Sequence, residues 1–563
     1  MSAILYLLPF LIGALNYCHM NSHVNYKINR LPEVYVNDWS LESPRSHTTH
    51  RENVRSFEIM KRAERTAVLL VSPETGRLPD TMGDLARYVS GKAGGLGEAV
   101  SALCEGLLAR GVNCHLATLD LKRRFQRENN MDEHTWREIR YKVDPDKVHL
   151  VSSSIFAHLH CAYAGDPILN AAEFQKQVVN NIIKTVRAKN GGRLILHSHD
   201  WMAGGTITAY AKARNCPVLH TVHNVHTGKI PVEMLFGVDV DSLAWNIYFS
   251  EEYGRRCIDA QATAIKSATL VNFVGEKFLR EITEDYFLDR SFIPPSVRQE
   301  VKAKYAYGAA MSIMNAASPR LYPENSEHLM RKYAPDDDVM AAKRESLVAF
   351  QQKTGLVINP NAILLYWPSR LDQTQKGVEL LEDIALKFVI ENGDVQIAVI
   401  GNGLEGDRTH EEILGRIAWA SGGKITYQRF REDLSMLGYA AASDVFGVSL
   451  YEPCGQIDQI GNLYGATATN RDTGGYHDKI RDLCLKVDGA PEDEGNGFLF
   501  QNYDTGGLWY GLSRSVQFHR RPMDIREQQI KRIMREARKK YDLDNMVDAY
   551  LRLYERLNGC PLA

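Results

Sequence analysis

A glycine-rich loop with one lysine is the first part of the sequence whose residue types predict ligand binding. The segment KAGGLGE (92–98) opens a helical stretch. Gly94 and Gly95 allow backbone N–H groups to approach a ligand closely, and a helix N-terminus favours an anion at this place. Lys92 adds a positive charge. The loop predicts a phosphate-binding site, with a tight turn beside a solvated lysine as the alternative.

Histidine and aspartate side chains follow two apolar runs further along the chain. The segments are HSHDW (197–201) and HTVHN (220–224). They contain His197, His199, Asp200, His220 and His223. A metal site is one interpretation, but no zinc-ligand spacing is present and no metal is expected. Polar groups at two adjacent strand ends are better explained as the lining of a cleft that binds hydroxyl-rich ligands.

Two cations lie close together in PSRLDQTQKG (368–377), after another apolar run. Arg370 and Lys376 could converge on a pyrophosphate whose negative charge grows as it leaves. Ordinary surface charge is the alternative.

Two further loops carry polar or anion-binding groups. In YEPCG (451–455), Glu452 is held by a following proline and can accept hydrogen bonds from sugar hydroxyls, while Gly455 lets backbone N–H groups meet a phosphate. In DTGGYHDKI (472–480), a second anion-binding loop is predicted before a helix. Its residues are Thr473, Gly474 and Gly475.

The segment VIGNGLEG (399–406) contains a G-x-G-x-x-G pattern and raises a dinucleotide-dependent dehydrogenase as a rival. That pattern needs an acidic residue about 20 residues later, at the end of the next strand. The chain has none there before Glu432. The dehydrogenase interpretation is therefore disfavoured.

Alternating apolar runs and helical stretches predict the elements that position these loops. The first series of predicted strands is 67–73, 114–119, 193–200, 217–224 and 268–275, and the second is 362–370, 395–403, 424–430, 444–450 and 466–471. Strands that are apolar throughout and alternate with helices indicate a parallel sheet covered on both faces. The fold class is α/β, with two doubly wound Rossmann-like domains facing each other across a cleft, and ligands bind at the strand ends in such folds.

Proline-rich and charged stretches divide the chain. We expect a poorly ordered arm with a short apolar leader (1–65), an N-terminal domain (66–330), a linker (331–361), a C-terminal nucleotide-sugar-binding domain (362–523) and a helical tail (524–563). The apolar leader is too short to cross a bilayer.

Overall composition excludes several classes of function. The 563 residues include 67 Lys+Arg and 69 Asp+Glu, a net charge of −2. This balance argues against nonspecific nucleic-acid binding and against a polybasic membrane-surface protein. Nine cysteines without a CxxC pair indicate reduced thiols and predict a cytoplasmic protein.

These motifs, in this order, resemble the bacterial glycogen synthase and plant starch synthase family, retaining glucosyltransferases of glycosyltransferase family 5 with the GT-B fold. The matches are the lysine-glycine loop at 92–98, HDW at 199–201, TVHN at 221–224, SRLxxxKG at 369–377, EPCG at 452–455 and TGG at 473–475. The resemblance covers about residues 67–555. The combination of these motifs is specific for this family, whereas any one motif alone is not.

The resemblance implies transfer of glucose from ADP-glucose to the nonreducing end of an α-1,4-glucan, with no metal or other cofactor. Lys92, Arg370 and Lys376 would then contact the donor phosphates. Asp200, His223, Asn315 and Glu452 would line the glucose, Tyr427 would stack near the adenine, and Cys454 would pack beside Glu452.

Several departures from the family pattern leave alternatives open. Met202 stands where a histidine is common, QIDQIGN follows EPCG, and FVGEKF (273–278) replaces a serine-proline motif. A related transferase that uses UDP-glucose or a smaller acceptor is one rival. A catalytically silent glucan-binding scaffold is another.

Overall fold

Two parallel β-sheets, one in each half of the chain, form the framework of the protein. The computed structural model describes residues 66–142, 147–290, 292–403, 406–483 and 495–562. The strands of the first half are Ala67–Val71 (β1), Cys114–Leu119 (β2), Val148–Val151 (β3), Leu194–His199 (β4), Val218–Val222 (β5), Lys229–Pro231 (β6), Phe249–Glu252 (β7), Arg255–Asp259 (β8), Leu270–Phe273 (β9) and Ala310–Ser312 (β10). Those of the second half are Ile363–Pro368 (β11), Val395–Ile400 (β12), Ile425–Gln428 (β13), Asp444–Gly447 (β14), Thr467–Arg471 (β15) and Gly497–Phe500 (β16).

The strand order explains where the functional loops meet. The first sheet runs β10-β9-β5-β4-β1-β2-β3, the second runs β13-β12-β11-β14-β15-β16, and β6-β8-β7 form a small antiparallel sheet. The central strands β1 and β12 are buried along their whole length. Such strands are stable only with helices on both faces. The predicted α/β class with two doubly wound domains is confirmed.

Helices follow most strands and cover both faces of the sheets. They are Gly95–Ala109 (α1), Lys122–Glu128 (α2), Glu133–Lys142 (α3), Pro167–Gln177 (α4), Ile183–Lys189 (α5), Thr206–Ala213 (α6), Ala260–Ser267 (α7), Glu276–Thr283 (α8), Pro295–Ala306 (α9), Val339–Thr354 (α10), Gln373–Lys376 (α11), Val378–Glu391 (α12), Thr409–Ala420 (α13), Glu432–Ala441 (α14), Ile457–Leu463 (α15), Gly474–Lys479 (α16), Thr505–His519 (α17), Met523–Lys540 (α18) and Leu543–Asn558 (α19).

The interval 331–361, interpreted above as a linker, contains the helix α10. Its start is capped by the Asp338 carboxylate, which accepts the Ala341 N–H, and it ends at Gly355 in the left-handed conformation (φ 76°). Its apolar side, including Phe350, packs in the same core as residues of α14. This stretch therefore belongs to the C-terminal domain, and its mixed composition hid the capping signals.

The helical tail packs on both halves of the chain. Ile530 and Met534 of α18 lie in the core of the second half, whereas Tyr550 and Tyr554 of α19 lie in the core beneath the first sheet. The tail thus packs against the cores of both domains.

The predictions for residues 1–65 fall outside the part of the chain that the structure describes. Within that part, no helix has both the length and the apolar character needed to span a membrane.

Candidate active site

Four of the side chains singled out by the sequence follow the carboxyl ends of strands. Asp200 comes after β4 and His223 after β5, while Arg370 comes after β11 and Glu452 follows β14. Because the strands of each sheet are parallel, their carboxyl ends lie along one edge of that sheet. One binding site can form from both domains only where these two edges face each other.

Contacts between the two halves show that these edges do face each other. In the lysine-glycine loop, an added Cβ at Gly95 would lie 2.6 Å from Gln456 Oε1 of the C-terminal half. The Tyr451 hydroxyl lies 3.5 Å from Asn224 Oδ1. Burial and the charge of Arg370 lower the pKa of His226, so that guanidinium also lies near the N-terminal half. The predicted loops of both domains therefore meet across one cleft.

The histidines form a buried, neutral group on the N-terminal side. His199 Nδ1 lies 3.0 Å from His223 Nε2, and His197 Nδ1 lies 2.7 Å from the Tyr554 hydroxyl. Burial, with the nearby His220, lowers the pKa of His223 to about 3. The His223 ring is thus uncharged at neutral pH and can offer a hydrogen bond to a ligand. Across the described ranges, no set of three or more His, Cys, Asp or Glu side chains is arranged around a metal.

Asp200 holds the loop that carries His223. Its Oδ1 accepts the backbone N–H groups of His223 (2.7 Å) and Asn224 (3.0 Å), and its own backbone is in the left-handed region (φ 56°). Burial raises the pKa of Asp200 to about 7, against the opposing effect of those two N–H groups. The geometry makes Asp200 a support for the neighbouring strand end as well as a candidate sugar contact.

The lysine-glycine loop is already bound to a carboxylate of the chain itself. Glu74 Oε2 accepts the N–H groups of Ala93 (2.8 Å) and Gly94 (2.7 Å), and Glu74 is buried. Lys92 Nζ donates to Glu98 Oε1 at 2.8 Å and remains about a third exposed. The N–H groups of this loop thus bind a carboxylate of the chain, Glu74, which the sequence analysis did not single out. Phosphate binding by the loop stays a prediction.

On the C-terminal side, Lys376 and Glu452 form a close pair. Lys376 Nζ lies 2.5 Å from Glu452 Oε2, which also accepts the Ser449 hydroxyl at 2.9 Å. Burial would raise the pKa of Glu452, but Lys376 more than offsets this and the pKa lies below its usual value. Glu452 is thus a carboxylate whose Oε1 has no hydrogen bond to the described residues and can accept a hydroxyl.

Arg370 is the least constrained of the predicted cations. Its side chain is 52% exposed, with Asp372 Oδ2 at 3.8 Å and Gln375 Oε1 at 3.4 Å. A guanidinium held this weakly can turn towards a phosphate at little cost.

The TGG loop interlocks with EPCG. An added Cβ at Gly474 (φ 44°) would lie 1.9 Å from the Glu452 carbonyl oxygen, and one at Gly475 would lie 1.9 Å from that of Cys454. The Gly475 N–H donates to the Glu452 carbonyl at 2.9 Å. A side chain would not fit at either position, because the two backbone segments lie so close together.

The N–H groups that could have made TGG a second phosphate site are partly used by the other domain. Glu281 of α8 accepts the Gly474 N–H and the Thr473 hydroxyl, both at 3.1 Å. In return, Asp478 of α16 accepts the Lys277 N–H at the start of α8, at 3.1 and 3.2 Å. Each helix start is thus capped by a carboxylate from the other half, an arrangement that sequence patterns do not reveal.

The remaining predicted residues lie around this centre. Gln459 Nε2 donates to the carbonyl of the buried Asn315 at 2.9 Å. Burial raises the pKa of the Cys454 thiol to about 11, in keeping with a packing role. The Tyr427 hydroxyl donates to the Gly401 carbonyl at 3.1 Å, so this ring lies beside the loop after β12.

Comparison with known proteins agrees with this arrangement. The family model for the starch synthase catalytic domain matches residues 84–291. Glycogen synthase from Bacillus cereus (strain Q1) is 27% identical over 378 residues, which are 64% of this chain and 73% of the relative. The catalytic domain of starch synthase IV from Arabidopsis thaliana, bound to ADP and acarbose, superposes with a TM-score of 0.69 at 19% identity, covering 88% of this chain and 99% of that one.

Anabaena HepE, in complex with UDP and glucose, superposes with a TM-score of 0.51 at 13% identity over 87% of this chain and 100% of its own. At such low identity the solved structures show the fold alone, and that fold is GT-B. The sequence relatives confirm the resemblance first drawn from the motifs. The chain is a hexosyltransferase with the GT-B fold that is similar to glycogen synthases and starch synthases.

Proposed function

We propose that the protein transfers glucose from ADP-glucose to the nonreducing end of an α-1,4-glucan with retention at the anomeric carbon. The observation that carries the proposal is the convergence of the lysine-glycine loop, Arg370 and the Lys376–Glu452 pair on one cleft between two domains. A nucleoside diphosphate needs such fixed positive charge because negative charge accumulates on it during transfer.

The residues divide the chemistry between the two sides of the cleft. Arg370 and Lys376 stabilise the diphosphate as the bond from its oxygen to the glucose C1 breaks. The acceptor hydroxyl bonds to C1 on the same face and gives its proton to a phosphate oxygen. His223, Asp200 and Asn315 on the N-terminal side, with Glu452 opposite, hold the glucose hydroxyls while the ring carries positive charge.

The donor base and the acceptor are the finer parts of the proposal. ADP-glucose is favoured by the family resemblance, with UDP-glucose as the rival because EPCG is followed here by QIDQIGN. A cytoplasmic setting also belongs to the proposal, supported by the free state of the cysteines in the described residues, among them the buried Cys104 and Cys114.

The test is a donor assay with glycogen as acceptor. We expect labelled glucose to enter glycogen from ADP-glucose, with stoichiometric release of ADP and a product susceptible to α-1,4-specific hydrolysis. Glycogen binding without nucleotide release from either donor would support the scaffold alternative. Faster transfer from UDP-glucose would support the other donor.

The assay includes a matched pair of arginine variants. Arg370→Ala should lower turnover by about 10²–10³-fold because a cation that stabilises the departing diphosphate is lost. Arg520→Ala, which removes a similarly exposed arginine paired with Asp394, should leave turnover unchanged. Equal activity of the two variants would contradict the role of Arg370.

A further inference from the structure

A second basic cavity lies at the opposite edge of the C-terminal sheet from the candidate active site. Asn361, just before β11, and Ser443, just before β14, line it, so it lies at the amino ends of those strands. Arg370 and Glu452 follow the carboxyl ends of the same two strands. The cavity has a volume of about 90 Å³ and is separate from the cleft.

Four basic side chains from three helices line this cavity. They are Lys343 and Arg344 of α10, His519 of α17 and Arg526 of α18. Among the described residues, its lining contains no aspartate or glutamate. Basic side chains elsewhere, such as Lys376 and Arg520, pair with carboxylates, so this cluster stands out in a molecule of net charge −2.

The partners of these groups are neutral or, within the described ranges, missing. Lys343 is buried, and its Nζ donates to the carbonyls of Tyr464 (2.9 Å) and Ala440 (3.2 Å). Arg526 Nε is buried and has no hydrogen-bond partner among the described residues. An unsatisfied buried donor is costly, and an acceptor entering the cavity would relieve that cost.

The charges also oppose one another. Burial, then Arg526 and Lys343, lower the pKa of His519 to about 3. Burial and then Arg344 lower the pKa of Arg526, and burial lowers that of Lys343 to about 7. The buried Asp444 accepts the Thr467 hydroxyl, which lies 3.0 Å from His519 Nε2.

The N-terminus of α18 adds to the preference for an anion. Met523 in its first turn lines the cavity, and no side chain of the described residues caps this helix start. The start of α10, where Met340 lines the cavity, is already capped by the Asp338 carboxylate. Backbone N–H groups and the helix dipole at an uncapped end favour negative charge.

We propose that this cavity binds a phosphate group, either as inorganic phosphate or as the phosphate of a small monoester whose organic part extends into solvent. The volume of about 90 Å³ accommodates a phosphate. Arg344 is exposed at the rim and Arg526 lies deeper, so both can donate to the oxygens of one phosphate. This site is independent of the proposed transferase activity.

Isothermal titration of the full chain with inorganic phosphate, and separately with a hexose monophosphate, tests the proposal. We expect saturable binding to the wild type that is weakened about tenfold or more in Arg526→Gln and retained in Arg370→Ala. Arg520→Gln, which removes a nearby arginine paired with Asp394, is the matched control and should bind as the wild type does.

Two outcomes overturn the proposal. The first is that neither inorganic phosphate nor the hexose monophosphate binds to the wild type at millimolar concentration. Binding lost in Arg370→Ala and kept in Arg526→Gln would assign the phosphate to the active-site cleft. If Arg526→Gln fails to fold, the exposed Arg344→Gln gives the same test. Binding of only the monoester would identify the organic part as necessary, and equal binding of both probes would identify the phosphate as sufficient.

Discussion

The two glycine loops of the cleft look alike in sequence but are satisfied in different ways. In the loop at 92–98, the N–H groups of Ala93 and Gly94 bind Glu74, a carboxylate of the same domain. In the loop at 473–475, the Gly474 N–H binds Glu281, a carboxylate of the opposite domain. The first loop can thus change its ligand without moving a domain, whereas the second loop is part of the contact between domains.

The difference teaches that a glycine motif has more than one structural cause. Gly94 has open space around its missing Cβ, where the nearest atom is Glu74 Oε2 at 4.0 Å. Gly474 has none, because the Glu452 carbonyl oxygen would lie 1.9 Å away. The first loop uses glycine for flexible access to an anion, and the second uses it for backbone packing behind Glu452.

The largest expected effect on turnover comes from replacing one of these glycines with alanine. Gly474→Ala should lower turnover by roughly 10²-fold or more because Glu452 is displaced, and a displacement of about 1 Å can cost that much. Gly94→Ala should reduce turnover less than tenfold. Steady-state kinetics of the two variants measure this contrast. Comparable losses of turnover in both variants would contradict the proposed difference between the two loops.

A smaller effect should follow from neutralising the two carboxylates. Glu281→Gln should speed hydrogen exchange at Gly474 and also at Lys277, because loosening one interdomain cap loosens the other. Glu74→Gln should speed exchange only around Ala93 and Gly94. Hydrogen-exchange mass spectrometry distinguishes the two patterns.

Turnover of Glu281→Gln should fall several-fold, since domain closure gates catalysis in two-domain clefts. If exchange in this variant rises only at Gly474, the two caps are not coupled.

The sequence predicted the parts of this site that depend on local signals. Apolar runs predicted β4, β5 and β11, and the polar residues after these strands include Asp200, His223 and Arg370. Glu281 and Asp478 were missed because each lies in a helix and its partner is far away in the chain. Such pairs arise only from domain packing, which has no periodicity in the sequence.

The helix α10 was missed for another reason. The prolines and the acidic run Asp336–Asp338 before it are typical of a linker. In the folded chain Asp338 instead caps a helix, and burial of Phe350 against the second core outweighs the polar composition.

The smallest expected effect is on the pH dependence of stability. Burial raises the pKa of Asp200 to about 7, whereas in the unfolded chain it is about 4. Between these values the folded chain binds more protons than the unfolded chain, so stability falls as the pH rises from about 4 to 7. Asp200→Asn should lose this part of the slope.

Thermal unfolding between pH 4.5 and 7.5 measures that change. The control is Asp433→Asn, which removes a carboxylate that Arg431 holds at the surface and should keep the wild-type slope in this interval. If the unfolding temperature changes with pH in the same way in Asp200→Asn and in the wild type, the titrating group is not Asp200.

The central claim is that cations from both domains surround one nucleoside diphosphate, and ADP titration of four proteins tests it most directly. The proteins are the wild type, Lys92→Gln, Arg370→Gln and the double variant. We predict that each single change weakens ADP binding about tenfold and that the double variant binds more weakly than either, because charge-assisted bonds to phosphate are lost on both sides. Wild-type ADP affinity in both single variants would contradict the account.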